Sequence, residues 1–425
     1  MMIQGSEKNR TLPPIPEGFS YRLDLSRAAT PRLLKKRPRH RWFWFPHSYS
    51  PELVEAILKD WDLPNGSSLL DPFVGAGTTL LVAKERGIPA TGVDISPLAI
   101  LVSRAKAADY NRKRLETLMS AILKEVSAKI LKGARILPAR EEIPERVQRA
   151  FTEPELATLY AIRGAILSLT SGTEQDFFLT ALLNTARNYS RTDADGGWFR
   201  WVEREEASPE EILAHFRKII LNMLKDVDEL PSSDAPTDIY LGDARHLNLA
   251  GPFDAVVTSP PYPNRHDYSR VFHIELLLLG IDESSIKLLR RNSVRSHVEA
   301  RPPIDTGEDE YQPPDKLCEL LIQLPKNIDR RIPRMIYGYF HDLFLVLRST
   351  HRVLSPGAKL AFVVGNVRHA GILFPVDEIL SDIGEQAGYR WTGAWVIRLR
   401  GNSAQQMGRF GRIPARESVV FFKKN

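Results

Sequence analysis

The chain has 425 residues, 43% of them hydrophobic and 26% charged, proportions of a globular protein with a large core rather than a disordered or fibrous one. No apolar run approaches the roughly 20 residues of a membrane span. No signal peptide opens the sequence, and the single cysteine, Cys318, excludes an internal disulfide and a multi-cysteine zinc site. A cytoplasmic setting without membrane contact is therefore expected, and the net charge of +6 leans weakly toward polyanionic partners.

Residues 1–30 are polar and Pro-rich and predict an irregular arm. Arg32, Lys35, Lys36, Arg37, Arg39 and Arg41 then crowd a short segment that ends in Trp42-Phe43-Trp44-Phe45. Basic residues beside exposed rings would suit a phosphate backbone and stacked bases. The same residues suit a solvated loop running into buried aromatics, and the alternation of rings also suits a strand. Pro51–Trp61 predicts a helix with Leu53, Ile57 and Leu58 on one face and Ser48 or Ser50 before it as a cap. A compact βαβ pattern follows: a strand over 68–71, a helix over 78–86 and a strand over 90–94. A second helix over 96–110 has Ser96 as N-cap and Pro97 in its first turn.

Between 111 and 235 the pattern changes to helical spacing: Leu115, Leu118, Ile122, Val126 and Ile130, then Ile212, Phe216, Ile219, Ile220 and Met223. This stretch predicts a helical insertion with few strand signals. Strands resume at 238–241 and 253–257, a polar, basic, Pro-rich segment spans 283–334, and a long helix spans roughly 334–353. A strand over 359–364 and a terminal hairpin built from 395–399 and 418–422 complete the chain. The expected division is an arm (1–30), a catalytic domain (31–110 and 236–425) and the insertion (111–235).

Two motifs carry chemistry. In Asp71-Pro72-Phe73-Val74-Gly75-Ala76-Gly77-Thr78-Thr79, between strand and helix, the glycines allow a sharp turn and close approach to a ligand at a helix N-terminus. No Gly-Lys-Ser/Thr follows, so it is not a triphosphate loop, and the third glycine of a dinucleotide fingerprint is missing. Asp94 ends the next strand, where a carboxylate can accept both hydroxyls of a ribose, and Asp243 ends another, where it could accept from an adenine amine. The second motif is Thr258-Ser259-Pro260-Pro261-Tyr262, directly after the strand at 253–257. Its two prolines stiffen the turn, which holds a hydroxyl, a carbonyl and a ring at a strand's carboxyl end, where open α/β sheets bind ligands.

In this order the motifs resemble those of the S-adenosylmethionine-dependent amino-methyltransferases of DNA, which modify cytosine N4 or adenine N6. Phe45-Pro46-His47-Ser48-Tyr49-Ser50-Pro51 resembles the N-terminal cofactor-side motif of these enzymes, and Arg352 to Gly357 with Val363 to Asn366 their later helix-turn-strand. The resemblance covers about 40–110 and 236–425 and implies an α/β, Rossmann-like class I methyltransferase fold: a mostly parallel twisted sheet with a terminal antiparallel hairpin. It implies cofactor binding by Asp71, Phe73, Gly75, Gly77, Thr78, Asp94, Asp243 and Ser259, and catalysis by Ser259, Pro260, Pro261 and Tyr262. Its implied partners are duplex DNA with the target base flipped out and a cognate restriction endonuclease; oligomeric state stays open. In this family S-P-P-Y leans toward cytosine N4. Adenine N6, an RNA base, or a non-catalytic nucleic-acid binder keeping the fold are the alternatives.

An exocyclic amine is a poor nucleophile because its lone pair is delocalised into the ring. If Ser259 and the Pro260 carbonyl accept its hydrogens, the nitrogen is drawn toward a tetrahedral shape and its lone pair is freed for an in-line transfer. Tyr262 would stack on the extruded base. Cytosine C5 methylation is not expected, because Cys318 lacks the preceding proline of that chemistry, and His47 and His341 lack metal-ligand spacing. Two segments are candidates for reading the target. One runs from Arg187-Asn188-Tyr189-Ser190-Arg191 through Trp198-Phe199-Arg200-Trp201. The other, within 263–334 and favoured because it leaves the catalytic strand directly, holds Arg265 to Tyr268 and Arg290 to Arg295. Gln405 to Arg412 is rich in groups that read bases or phosphates, or is a flexible hairpin loop.

Overall fold

Short apolar strands that must be covered on both faces, alternating with amphipathic helices, build a layered α/β sheet here. The computed structural model describes residues 12–131, 137, 142–195, 198–229, 233, 235–302, 310–400 and 414–425. Strand β1 (Phe19–Tyr21) and helix α1 (Pro51–Trp61) precede the run β2 (Leu69–Asp71), α2 (Thr78–Glu85), β3 (Ala90–Asp94) and α3 (Pro97–Ala107). The insertion contains α4 (Arg112–Leu131), α5 (Glu145–Ala150), α6 (Glu153–Leu169), α7 (Gly172–Tyr189), the hairpin β4 (Thr192–Asp195) with β5 (Trp198–Trp201), and α8 (Pro209–Glu229). Then come β6 (Thr237–Leu241), β7 (Phe253–Thr258), α9 (Tyr268–Val271), α10 (His273–Leu278), α11 (Glu283–Asn292), α12 (Asp315–Ile322) and α13 (Arg331–Arg352). The last elements are β8 (Leu354–Gly365), the hairpin β9 (Val367–His369) with β10 (Ile372–Phe374), α14 (Val376–Gln386), β11 (Tyr389–Arg400) and β12 (Ala415–Lys424).

The main sheet has the order β1-β11-β12-β8-β7-β2-β3-β6. Strands β6, β3, β2, β7 and β8 are parallel, and β12 runs antiparallel to both β8 and β11. The fold is Rossmann-like, with the terminal antiparallel hairpin at 395–399 and 418–422 lying inside the longer pair β11–β12. Leu69, Leu70 and Ala255 to Val257 are fully buried, as the centre of a sheet covered on both sides requires. One face carries α1, α2 and α3 through Leu53, Ile57, Leu80 and Ile100. The other carries α13 and α14 through Ile336, Tyr339, Leu343, Ile379 and Ile383.

The helices of 111–235 pack around Leu115, Ile122, Phe177, Phe178, Phe216 and Ile220. The same core takes in Trp42, Phe43 and Phe45. Three of the four rings thus line a core, the half-buried Trp44 lies beneath Lys35 at 5.1 Å, and the segment is not a strand. Asp226 of α8 explains its fixed course: the buried carboxylate accepts from Arg39 N at 3.0 Å, Arg41 Nε at 3.0 Å and Trp42 Nε1 at 2.9 Å. Arg37 is paired with Glu55 at 2.6 Å, so two of the six crowded cations, Arg37 and Arg41, bind carboxylates of this chain, and the Arg39 guanidinium is buried on the carbonyls of Lys106, Ala108 and Val227.

Other local expectations are corrected. Within the arm, β1 pairs in parallel with β11, Phe19 opposite Ala394, and Leu23–Leu25 forms a 3-10 turn. Such a short strand exists only through its long-range partner. Ser50 stands at the N-cap of α1 without bonding the helix amides; its hydroxyl donates to the Thr30 carbonyl. The 283–334 stretch holds two helices, α11 and α12. Among the described residues, no helix is long and apolar enough to cross a membrane.

Candidate active site

From β2 the chain moves outward to β3 and β6, then returns to β7 on the other side of β2. The crevice at the carboxyl ends of β2 and β7 is therefore the switch point of the sheet. Asp71 and Thr258 end these two strands and are tied together, Thr258 Oγ1 donating to Asp71 Oδ1 at 2.6 Å. Phe73 N donates to the same oxygen at 3.1 Å, which starts the glycine loop. Asp71 lies beneath the loop rather than among the cavity-lining residues, so its carboxylate shapes the binding loop from below.

Burial pushes the Asp71 carboxyl up to about 6, against the opposing pull of the Thr258 and Phe73 hydrogen bonds. A carboxyl raised above its ordinary 3.8 binds its proton more tightly in the folded state. Its contribution to stability is then greatest at low pH and is lost as pH rises from about 4 through about 6. Asp71→Asn is expected to remove this component, so the stability of wild type relative to the variant should fall across that window. Urea midpoints at stepped pH measure it, and parallel curves would remove Asp71 as their source.

Gly77 sits at the N-cap of α2 with φ +76°, and a Cβ there would meet Ser103 Cβ on α3 at 2.9 Å. A Cβ at Gly75, φ +47°, would touch only the Phe73 carbonyl oxygen at 3.8 Å. The Gly75 amide donates to Asp94 Oδ2 at 2.9 Å, while Ser96 N donates to Asp94 Oδ1 at 2.9 Å. Asp94 is thereby aimed along the loop from the end of β3, and burial raises its carboxyl despite these two donors.

One cavity joins the two sequence motifs. Its lining includes Phe73, Gly75, Thr78 and Asp94 on one side and Ser259 and Pro261 on the other. Pro46, His47, Ser48 and Tyr49 from the N-terminal motif and Asp243 from the end of β6 also face it. Asp243 comes with a partner not foreseen from sequence: Arg245 Nη2 donates to Asp243 Oδ2 at 2.6 Å and Nε to Oδ1 at 3.0 Å. Arg245 is buried and also contacts Asp342 of α13 at 3.3 Å.

Pro260 is buried, and Tyr262 stands behind the cavity with its hydroxyl donating to Glu417 Oε1 at 3.0 Å. The Arg400 guanidinium lies 5.5 Å from the Tyr262 ring centroid, so one ring face is already covered. Burial, with Glu417 next, raises the phenol well above its ordinary value. His266 packs on His47 with ring centroids 4.8 Å apart, and burial lowers it to about 4, so it is neutral near pH 7. Glu417 and Arg400 carry no motif signal; only the fold brings them beside S-P-P-Y.

The segment after the catalytic motif closes the opposite wall with Asp267, Tyr268 and Ser269 and with parts of 289–297. Arg290 Nε meets Asp267 Oδ2 at 2.6 Å and Ser269 Oγ at 3.1 Å, and Arg295 is buried on Asp342. Both arginines, expected among residues that read a target, are paired with carboxylates of this chain, Arg295 buried and Arg290 partly so. Arg187 and Arg191 are likewise paired, with Glu275 and with Glu155, and Arg187 lies 4.0 Å from the Phe43 ring centroid. Residues 405–412 lie outside the described residues.

The chain is 30% identical over 450 residues to the type II methyltransferase M.BsoBI of Geobacillus stearothermophilus, an alignment covering 92% of this chain and 86% of that protein. The chain belongs to the S-adenosylmethionine-dependent type II methyltransferases. It is also 29% identical over 444 residues to M.AvaI of Nostoc sp., with 92% and 87% covered. To M.MvaI of Kocuria varians it is 23% identical over 374 residues, with 82% and 81% covered. No family model matches the chain.

The cavity fits the cofactor of this family on its own features. Thr78 Oγ1 is buried in the cavity wall and has no hydrogen-bond partner among the described residues. The space beside Gly75 is one that any Cβ would enter, and a carboxylate at Asp94 suits a diol. A donor-acceptor set at a helix N-terminus, a free hydroxyl and an acid at the adjacent strand end together suit a nucleoside.

Proposed function

We propose that this type II methyltransferase modifies DNA, transferring a methyl group to the exocyclic N4 amine of cytosine in a base rotated out of the duplex. The observation that carries the proposal is the single cavity shared by Gly75, Asp94 and Ser259. S-adenosylmethionine, when bound, supplies an electrophilic methyl group on a sulfonium sulfur. Gly75, Thr78 and Asp94 would hold it, with Asp94 accepting from the ribose hydroxyls. Asp243 would face the adenine, its carboxylate kept in place by Arg245.

Ser259 and the Pro260 carbonyl accept the hydrogens of the target amine and so concentrate its lone pair on nitrogen. The stiff Pro260-Pro261 turn fixes both acceptors before the base arrives, so little reorganisation is needed during transfer. Tyr262 would stack on the extruded base, and its bond to Glu417 holds the ring in place. Extrusion of a base costs a few kcal/mol, and stacking of about 1–3 kcal/mol per base offsets much of it. Ser259 at the head of the tetrad favours cytosine over adenine. No covalent nucleophile is required, and Cys318 lies on α12, away from the described cavity lining.

The test is incubation with labelled S-adenosylmethionine and mixed-sequence duplex DNA, followed by digestion to nucleosides. Label in N4-methylcytosine is expected. Label in N6-methyladenine alone would transfer the proposal to adenine, and label in neither, with RNA labelled instead, would end the DNA assignment.

A further inference from the structure

Behind the 290–297 wall of the cofactor cavity lies a second groove, between α11, residues 295–302 and the first turns of α13. Arg290 and His297 belong to the linings of both, so the groove abuts the active site. Among its described lining residues seven are Lys or Arg and one, Glu299, is acidic. The chain as a whole carries 58 basic and 52 acidic residues, so this ratio is local.

Glu299 is already engaged by Arg270 and Arg290, and Arg295 by Asp342. Lys287, Arg291, Arg301 and Arg334 have no acidic partner among the described residues. Lys287 and Arg291 are four apart on α11 and so share one face. Arg334 stands in the first turn of α13, where the helix field disfavours a cation; that turn holds no acidic residue, and Asp329 before it is bonded to Arg331. Tyr337, 39% exposed, is the aromatic of the same groove. Exposed Arg265, in the loop leaving S-P-P-Y, bonds through its amide to the Ser296 carbonyl at 3.0 Å. The catalytic loop is thus tied directly to the 295–302 segment that forms one wall of the groove.

We infer that this groove holds the phosphate backbone of the DNA beside the flipped base, with Lys287, Arg291, Arg301 and Arg334 as its cationic contacts and Tyr337 packed on a sugar. The inference rests on the DNA reading above and adds where the duplex lies. Flexible, unpaired cations around a groove supply affinity without sequence preference, since phosphates are alike at every step. Target reading then falls to other residues, and those here position the strand.

The test compares the variant Lys287→Gln/Arg291→Gln/Arg301→Gln/Arg334→Gln with a control of equal charge loss, Lys113→Gln/Lys124→Gln/Arg217→Gln/Lys218→Gln on the exposed surface of the insertion. Affinity for a methylated substrate duplex and for an unrelated duplex is measured between 50 and 300 mM salt. The groove variant should bind both duplexes at least about tenfold more weakly, and its log–log salt slope should be smaller by about 3 to 4, near one per lost phosphate contact. Cofactor affinity and melting temperature should match wild type, and the control should keep the wild-type slope. An unchanged slope in the groove variant, or an equal drop in the control, overturns the assignment of the groove. Wild-type protein that neither binds nor methylates DNA would instead overturn the DNA reading, so the two failures are distinct.

Discussion

Ser259→Ala is expected to lower the single-turnover rate of methyl transfer by about 100- to 1000-fold, the range seen when one preorganised hydrogen-bonding group is removed from a reacting centre. Ser259 lines the cavity at the end of β7, and the group it would touch is the target amine rather than the cofactor. Cofactor affinity measured by calorimetry should therefore stay within about twofold, an interaction made mainly in the transition state being lost. Thr258, one residue earlier, holds Asp71 and the loop, and neither contact involves the Ser259 side chain. A variant that keeps the wild-type rate removes Ser259 from the chemistry, and one that loses cofactor affinity in proportion shows a binding role instead.

The centre of the site was legible because its residue types are forced by backbone geometry. Only a chain turning sharply into a helix at a sheet edge needs Gly75 and Gly77 at positive φ, and a second proline after Ser259 can only end a strand. Strands β2 and β7 were legible for a related reason, their apolar runs being buried from both sides. What was not legible depends on partners far along the chain. Glu417 meets Tyr262 only because β12 pairs with β8 and brings it opposite Gly365. Arg290 and Arg295 looked like surface charge because a basic run carries no mark of the buried acids, Asp267 and Asp342, that receive it. Their neighbours Lys287 and Arg291 line the same groove without an acidic partner among the described residues.

Asp342→Ala is expected to cost about 3–5 kcal/mol of stability, the loss typical of removing one partner from a buried ionic group. Asp342 is fully buried on α13 and accepts from Arg295 Nη2 at 2.6 Å, Arg295 Nε at 3.0 Å, Arg295 N at 2.8 Å and Arg245 Nη1 at 3.3 Å. Alanine would strand two buried guanidinium groups that have little water to replace the carboxylate. Arg245 would keep Asp243, whereas Arg295 would lose the carboxylate that fixes it, so the 290–297 wall should loosen first. That wall bounds both the cofactor cavity and the basic groove, so cofactor and DNA affinity should weaken together. Urea-denaturation midpoints measure the stability, and hydrogen exchange over 290–297 measures the loosening. Asp342→Asn, which preserves shape and some hydrogen bonding, should recover part of the loss. If alanine costs less than about 1 kcal/mol, the two arginines find other acceptors and the network does not hold the wall.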